Sequence, residues 1–203
     1  MEENRDVLRR AAMSRRRSLS PANCRSWSEA IQTRALELRQ YLDARSVALY
    51  SAVQNEVETE AILEDALRAG KHVFFPKFNR RDGAEFAQVT SKDELASGRF
   101  GIAEPAGTNA LALVDGACAI VFIPGVLFDN RGHRLGRGGG WYDRALAQFG
   151  NRGFFVGLAY EVQIVDRLPE QSWDQRVHYV ITENRLIDCG MRDAVVDKIS
   201  RSN

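Results

Sequence analysis

The chain has 203 residues, 44% of them hydrophobic, so it can bury a core and is short enough that we expect one domain over residues 1–203. Its 28 basic and 27 acidic side chains leave a formal charge of +1, which argues against a protein-wide nucleic-acid-binding surface. The 3 cysteines form no CxxC pair, and no apolar run reaches the roughly 18 residues that span a bilayer. We therefore expect a cytoplasmic monomer without membrane or nucleic-acid partners.

Two helices are predicted at the start of the chain. Residues 4–19 are rich in arginine and alanine and predict a helix with a strongly cationic face. Ser20 followed by Pro21 is typical of a helix N-cap and first turn, and apolar residues at helical spacing continue from there to Leu42. The second helix is therefore predicted to be amphipathic along its whole length.

A strand, a helix and a second strand are predicted next. Residues 46–51 form a short apolar run of strand length. Thr59 is expected to cap a third helix that ends at Gly70, and a strand follows at residues 72–75. Such a unit favours parallel pairing of its two strands with a right-handed crossover.

The most apolar stretch, residues 118–124, lies in the second half of the chain. It is hydrophobic on both faces, as a central strand of a covered parallel sheet should be. The alternation of helices and strands predicts a three-layer α/β fold with a mostly parallel sheet flanked by helices. The other predictions are an irregular stretch over 78–114 with one strand at 85–89, a helix at 141–149, and strands at 154–159, 179–182 and 186–188.

A glycine-rich loop, Arg134-Leu-Gly-Arg-Gly-Gly-Gly-Trp-Tyr-Asp143, follows the predicted central strand. Ligands of open α/β sheets bind beyond the strand ends, where glycines let backbone N–H groups approach a phosphate and Arg134 and Arg137 add positive charge. Asp143 could cap the following helix or hold a divalent ion. The loop matches neither the P-loop nor the dinucleotide fingerprint, and a solvated loop with Arg134 paired to an acid is the structural alternative.

The run from Ile123 to Leu146 resembles the signature of the 5-formyltetrahydrofolate cyclo-ligase family. The resemblance implies a Rossmann-like sheet of the NagB/RpiA/CoA-transferase kind. It also implies an enzyme that uses ATP and Mg²⁺ to cyclise 5-formyltetrahydrofolate to 5,10-methenyltetrahydrofolate, through a phosphorylated formyl group and without a covalent protein nucleophile. Further landmarks agree in order and spacing: Arg5-x-x-Leu-Arg9, Tyr50 before Glu56-Val-Glu-Thr59, Gly70-Lys71, residues 101–105, Leu168-Pro169 before Asp174, and Ile181-Thr-Glu183.

The resemblance also implies roles for individual residues. Arg137 and Tyr142 are the implied catalytic residues, and Asp143 and Asp174 are the implied Mg²⁺ ligands. The residues implied to contact ATP are Arg5, Arg9, Arg134, Leu135, Gly136, Arg137, Gly138, Gly139, Gly140, Trp141 and Tyr142. Those implied to contact the formylfolate are Ser51, Glu56, Arg137, Gly138, Gly139, Gly140 and Trp141.

Structural alternatives stay open for several of these residues. Glu56 could instead cap the helix that begins near Thr59, and Asp174 could be a simple turn aspartate. Arginines on the first helix would more often lie on a solvated face. Aromatic surface for the pterin or the adenine is offered by Phe128, Trp141 and Tyr142, each of which could belong to the core instead.

Four positions depart from the pattern that the resembled family usually shows. Arg5 replaces a lysine, Trp141 a tyrosine, Trp173 a histidine, and His178 an acidic residue. These changes bear on phosphate geometry, on the shape of the folate pocket and on the handling of metal or protons. For the remaining histidines, His72 and His133, no catalytic partner is visible and a structural role is favoured.

Two rival functions remain at this point. A relative could keep the ATP-binding loop and act on a different small substrate. Alternatively, five arginines of the first helix could form an RNA-contacting face on a catalytically silent domain. Those five residues are Arg9, Arg10, Arg15, Arg16 and Arg17.

Overall fold

The computed structural model describes residues 2–78, 84–98, 101–106, 119–147, 149 and 152–191. Cys118, at the start of the predicted central strand, and residues 107–114 of the predicted irregular stretch lie outside the described residues. The helices in the described part are α1 (Glu2–Arg17), α2 (Pro21–Glu37), α3 (Arg39–Asp43), α4 (Glu60–Arg68) and α5 (Trp141–Ala147). None of them is long and apolar enough to cross a membrane.

The start of α2 agrees with the prediction, but its end does not. The Ser20 hydroxyl accepts a hydrogen bond from the Asn23 N–H at 3.1 Å, and Pro21 occupies the first turn. The helix was predicted to continue to Leu42, whereas Leu38 adopts an extended conformation (ψ 130°) and the short helix α3 follows. This break buries Tyr41, which is 1% exposed, and leaves Leu42 62% exposed.

A seven-stranded sheet forms the centre of the molecule. Its strands are β1 (Ser46–Ala48), β2 (His72–Phe78), β3 (Ala84–Val89), β6 (Ala119–Pro124), β9 (Gly153–Leu158), β11 (Tyr179–Ile181) and β12 (Leu186–Asp188). They lie in the order β12-β11-β9-β6-β1-β2-β3. The five inner strands from β11 to β2 are parallel, and the edge strands β12 and β3 are antiparallel to their neighbours.

Helices cover both faces of this sheet, which confirms the predicted three-layer α/β fold. Along β6, Ile120 and Phe122 pack in one core cluster with α2 and α4. The alternate residues Val121 and Ile123 pack in a second cluster with α5. Because successive side chains of a strand point to opposite faces, a strand covered on both sides is apolar throughout, as predicted for this one.

The stretch between β2 and β6 contains more regular structure than predicted. In addition to β3, the strands β4 (Leu95–Ser97) and β5 (Ala103–Pro105) pair antiparallel in a separate two-stranded sheet.

A third sheet follows β6 and contains β7 (Leu127–Asp129), β8 (Arg134–Leu135) and β10 (Ile164–Val165), in the order β10-β7-β8. Strand β8 leads directly into the glycine-rich loop.

The start of α4 differs from the predicted capping arrangement. The Thr59 side chain makes no capping hydrogen bond, because its hydroxyl donates to the Tyr50 carbonyl at 2.8 Å. Gln32 of α2 supplies the acceptor instead, and its Oε1 receives the Ala61 N–H at 2.8 Å. Thr59 therefore fixes the beginning of α4 to the chain just beyond β1.

Candidate active site

A cavity of about 850 Å³ opens beyond the carboxyl ends of β1 and β6. The chain runs from β1 outward to β2 in one direction and from β6 outward to β9 in the other, which makes this the topological switch point of the sheet. The cavity wall includes Ser51 after β1 and Gly125 after β6. Ligands of open α/β sheets bind in this type of crevice.

Most of the predicted site residues lie around this one cavity. They come from α1, from the segment after β1, from the glycine loop and from the segment before β11. The predicted residues in its wall are Arg5, Arg9, Ser51, Glu56, Arg134, Gly136, Arg137, Gly138, Gly139, Gly140, Trp141, Tyr142, Asp143 and Asp174.

The glycine loop, residues 136–140, connects β8 to α5 and borders the cavity. Gly138 and Gly140 have positive φ angles of 103° and 61°, a conformation that glycine adopts without a steric penalty. A side chain at Gly139 would meet no atom within 4 Å. Arg144 holds the loop from α5, with Nη1 donating to the Gly139 carbonyl at 3.0 Å. The loop thus presents its backbone to open space at Gly139.

Helix α1 contributes two arginines to the cavity wall. Arg5 donates to both carboxylate oxygens of Asp174, at 2.7 and 3.1 Å, and this pair is almost completely buried. Arg9 Nε donates to the Gly136 carbonyl at 3.0 Å and so ties α1 to the glycine loop. These two side chains therefore do not lie on a solvated helix face.

Both predicted metal ligands are paired with an arginine. Asp143 Oδ1 accepts hydrogen bonds from Arg134 Nη2 at 3.1 Å and from the Gln175 N–H at 3.2 Å, while Asp174 is held by Arg5. The described residues contain no group of three or more histidine, cysteine, aspartate or glutamate side chains that could hold a metal. Any metal here would need other ligands besides these carboxylates.

Glu56 also lines the cavity, and its side chain is only 8% exposed. Its Oε1 is shared by two guanidinium groups, from Arg137 Nη2 at 2.8 Å and from Arg16 Nη2 at 3.4 Å. Its Oε2 accepts the Val53 N–H at 3.2 Å. The alternative that Glu56 caps α4 is therefore wrong.

The family model for the 5-formyltetrahydrofolate cyclo-ligase family matches residues 1–183. The chain belongs to the 5-formyltetrahydrofolate cyclo-ligase family. It is 31% identical over 175 residues to the 5-formyltetrahydrofolate cyclo-ligase of Haemophilus influenzae, covering 85% of this chain and 94% of that protein. The mouse protein of the same name is 29% identical over 187 residues, covering 87% and 92%. The NMR structure of Aquifex aeolicus 5,10-methenyltetrahydrofolate synthetase superposes with a TM-score of 0.81 at 30% identity, covering 93% and 94% of the two chains.

The sequence alone did not identify Arg16 as a residue of this site. Arg16 is 2% exposed, and its guanidinium reaches the Glu56 carboxylate from α1. The helical spacing could have indicated this role, because Arg5, Arg9, Ala12 and Arg16 are spaced by four, three and four residues and share one helix face.

The alternative of an RNA-contacting face made by five arginines of α1 is not supported, since Arg9 and Arg16 face the interior. The other three arginines of that set, Arg10, Arg15 and Arg17, are exposed.

Two tyrosine hydroxyls near Glu56 are held in the protonated state. Burial, with Glu56 as the next cause, raises the pKa of Tyr142 above its ordinary value, although Arg134 and Arg137 oppose the shift. Burial likewise raises the pKa of Tyr50, whose hydroxyl donates to the Val57 carbonyl at 2.8 Å. Tyr142 therefore offers a neutral O–H group at the cavity wall.

Two residues considered for ligand contact are buried and absent from the cavity wall. Phe128, for which a core position was left open, is completely buried on the α5 side of the sheet. The side chain of Leu135, an implied ATP contact, is 1% exposed and packs with Ala12 of α1 in a separate cluster. Both belong to the three-stranded sheet whose strand β8 precedes the glycine loop.

The four departures from the usual family pattern have different surroundings. Arg5 and Trp173 line the cavity, and Trp173 is 63% exposed at its edge. Trp141 also lines it, packing edge-on against Tyr142 at 4.9 Å and Phe86 at 5.5 Å between ring centres. His178 does not line the cavity and accepts the Phe155 N–H at 3.0 Å within the core. The histidine in place of an acid therefore has a structural role.

Proposed function

We propose that this chain catalyses the ATP-dependent cyclisation of 5-formyltetrahydrofolate to 5,10-methenyltetrahydrofolate, with release of ADP and phosphate. One observation carries the proposal: the glycine loop, the arginines of α1 and the Glu56 carboxylate surround a single cavity at the sheet's switch point. Its volume of about 850 Å³ is at the upper end of the range for ligand pockets, as a site for two substrates requires. Membership of the cyclo-ligase family supports the choice of reaction.

The surroundings of the glycine loop fit a polyphosphate. Arg5, Arg9, Arg134 and Arg137 bring positive charge to the cavity wall. The buried Arg134 Nε has no hydrogen-bond partner within the described part of the chain, and a phosphate oxygen would satisfy this donor once the side chain turns towards the cavity. The open backbone at Gly139 allows close approach. We propose that the phosphates of ATP bind here.

Asp143 and Asp174 fit a Mg²⁺ ion by the type of their donors. Mg²⁺ takes one or two carboxylates together with phosphate oxygens and water, so two aspartates are sufficient. Asp143 Oδ2 accepts no hydrogen bond from the described residues and could contact the ion directly or through water. Mg²⁺ held there would neutralise negative charge on the phosphates. Arg134 and Arg5 would then turn from the aspartates towards phosphate oxygens.

The wall around Glu56 suits the folate. The Glu56 carboxylate lines the cavity and can accept hydrogen bonds from N–H groups of the pterin. Ser51 and Trp141 complete this part of the wall with a hydroxyl and an aromatic surface. The Ser51 hydroxyl itself donates to the Ala103 carbonyl at 2.6 Å, which leaves its lone pairs for the substrate.

The proposed reaction makes a poor leaving group into a good one. The formyl oxygen is phosphorylated, N10 attacks the formyl carbon and loses its proton, and the oxygen departs with phosphate. Arg137 is placed to compensate the charge of the transferred phosphoryl group, and the neutral Tyr142 hydroxyl can donate a hydrogen bond to it. Alignment and charge compensation are expected to supply most of the rate enhancement, as in other phosphoryl transfers.

The proposal is tested by mixing the protein with Mg-ATP and 5-formyltetrahydrofolate and following the methenyl chromophore by absorbance. We expect product formation that depends on ATP and stops when Mg²⁺ is chelated. Omission of each substrate and an active cyclo-ligase are the controls. A folded protein that binds Mg-ATP and forms no methenyl product would instead support a different small substrate.

A further inference from the structure

We propose that Arg16 is a positioning residue, which holds Glu56 in place for the folate while Arg137 leaves the same carboxylate to meet the transferred phosphoryl group. The inference rests on the proposed function and extends it to a residue of α1. It starts from the unequal way in which two arginines share one carboxylate oxygen.

Arg16 is fixed by contacts with both sides of the switch point. Its Nε donates to the Gln54 carbonyl at 3.2 Å, in the segment after β1. Its Nη1 donates to the Gly125 carbonyl at 3.0 Å, directly after β6. With Nη2 directed at Glu56, all three nitrogens of the guanidinium are engaged at 2% exposure. A planar guanidinium held in this way cannot turn without losing several hydrogen bonds at once.

Arg137 is attached to Glu56 by a single link. Within the described residues its one hydrogen bond is from Nη2 to Glu56 Oε1 at 2.8 Å, and its side chain is 37% exposed. It also belongs to the glycine loop, between Gly136 and Gly138. Arg137 can therefore exchange Glu56 for a phosphoryl oxygen by a side-chain rotation.

The need for a second arginine follows from the burial of Glu56. A buried carboxylate that loses its counter-ion is strongly destabilised, and it would move or take up a proton. Arg16 remains beside Glu56 after Arg137 has left, so the carboxylate keeps a positive partner and its position. The folate then meets the same acceptor before and during phosphoryl transfer. Arg16 acts through Glu56 and does not line the cavity itself.

The test compares Arg16→Gln and Arg16→Lys with Arg15→Gln, a control that removes an exposed arginine from the same helix. We expect Arg16→Gln to raise KM for 5-formyltetrahydrofolate about tenfold while KM for ATP changes less than about twofold. Arg16→Lys should fall between the wild type and Arg16→Gln, because the charge remains without the fork of donors. Circular dichroism and thermal unfolding establish that each variant is folded.

A double-mutant cycle with Glu56→Gln separates positioning from a general structural role. If Arg16 acts through Glu56, adding Arg16→Gln to the Glu56→Gln protein should raise KM for the folate less than about twofold further. An equal rise in both backgrounds, or unchanged KM values in folded Arg16 variants, would overturn the inference and leave the proposed function intact. Absence of turnover in the wild-type protein would overturn the proposed function, and the inference with it. Should Arg16→Gln not fold, the cycle is made with Arg16→Lys.

Discussion

Two groups of carboxylates in the cavity wall are paired with arginines in different ways. In the first group, one oxygen of Glu56 accepts hydrogen bonds from both Arg16 and Arg137. In the second group, Asp143 is paired with Arg134 and Asp174 with Arg5, so that each aspartate has one arginine of its own. We refer to the first as the Glu56 cluster and to the second as the aspartate pairs.

Burial alone does not distinguish these two regions. The side chains of Glu56, Asp174 and Asp143 are 8%, 5% and 16% exposed. The difference is the number of cations, because the Glu56 cluster can release one arginine and remain paired whereas an aspartate pair cannot. Under the proposed function, the Glu56 cluster would keep its geometry, and each aspartate would exchange its arginine for a divalent ion.

The largest expected effect comes from removing a charge from an aspartate pair. Asp143→Asn should lower kcat on the order of 100-fold, because the amide is a poor Mg²⁺ ligand and no longer balances Arg134. The measurement is the absorbance assay across a range of Mg²⁺ concentrations. Asp43→Asn is the matched control, since Asp43 also pairs with an arginine, Arg39 at 3.3 Å, but on the exposed surface. An unchanged Mg²⁺ dependence in the Asp143 variant would remove its metal role.

In the Glu56 cluster, Glu56→Gln should act on the folate and spare the nucleotide. KM for 5-formyltetrahydrofolate is expected to rise roughly 10- to 50-fold, because a charged acceptor becomes a neutral amide beside two arginines. KM for ATP should stay near its wild-type value, as measured by initial rates with each substrate varied in turn. The exposed neighbour Glu58 provides the control variant Glu58→Gln. A matching rise in both KM values would mean that Glu56 affects folate binding and nucleotide binding alike.

A smaller effect is expected from replacing the buried residue His133. His133 Nδ1 contacts the carboxylate of Asp129 at 3.1 Å, and its Nε2 contacts Glu170 at 2.9 Å. It thereby joins the strand before the glycine loop to the segment that carries Asp174. His133→Gln should lower the free energy of unfolding by about 1–3 kcal/mol, with a rise in KM for ATP of only about threefold.

Urea unfolding and the same kinetic assay measure these two effects. His72→Gln is a suitable control, because His72 is exposed and the one hydrogen bond of its ring within the described structure is with the Gln88 side chain, at 3.1 Å. A His133 variant with the wild-type urea midpoint would show that this link does not support the aspartate side of the cavity.

The smallest effect is expected at Trp173, beside Asp174. Because its side chain is 63% exposed, Trp173→His, which restores the usual family residue, should change kcat and KM less than about twofold. The indole should still report on the aspartate pairs, so nucleotide binding is expected to quench fluorescence in the wild type more than in the variant. A tenfold loss of ATP affinity would show instead that the tryptophan is part of the nucleotide site.

The parts of the fold that local patterns control could be predicted from the sequence. The apolar run of β6 and the Ser20-Pro21 start of α2 depend on neighbours in the chain. The end of α2 was mispredicted because Leu38 and Leu42 also suit a continuous helix, and only the packing of Tyr41 shows the break. Thr59 has the chemistry of a helix cap, but the Tyr50 carbonyl, nine residues away, uses its hydroxyl.

The site was predictable where a contiguous motif carried it, and less so elsewhere. The glycine loop could be found from residues 134–143 alone. The partner of Arg5 lies 169 residues away and that of Arg16, at Gly125, lies 109 residues away, so neither contact has a local signal. The sequence therefore suggested Asp143 and Asp174 as candidates without revealing that Asp174 is paired with Arg5.

The position of Arg5, Arg9 and Arg16 on α1 has a practical consequence. Arg5, Arg9 and Arg16 reach the site only when this first helix is docked. Tryptic cleavage after the exposed Arg10 would detach two of the three arginines from the rest of the chain. A nicked preparation could therefore retain its sheet and most of its far-ultraviolet dichroism and yet be inactive, so the active fraction should be titrated directly and not inferred from folded content.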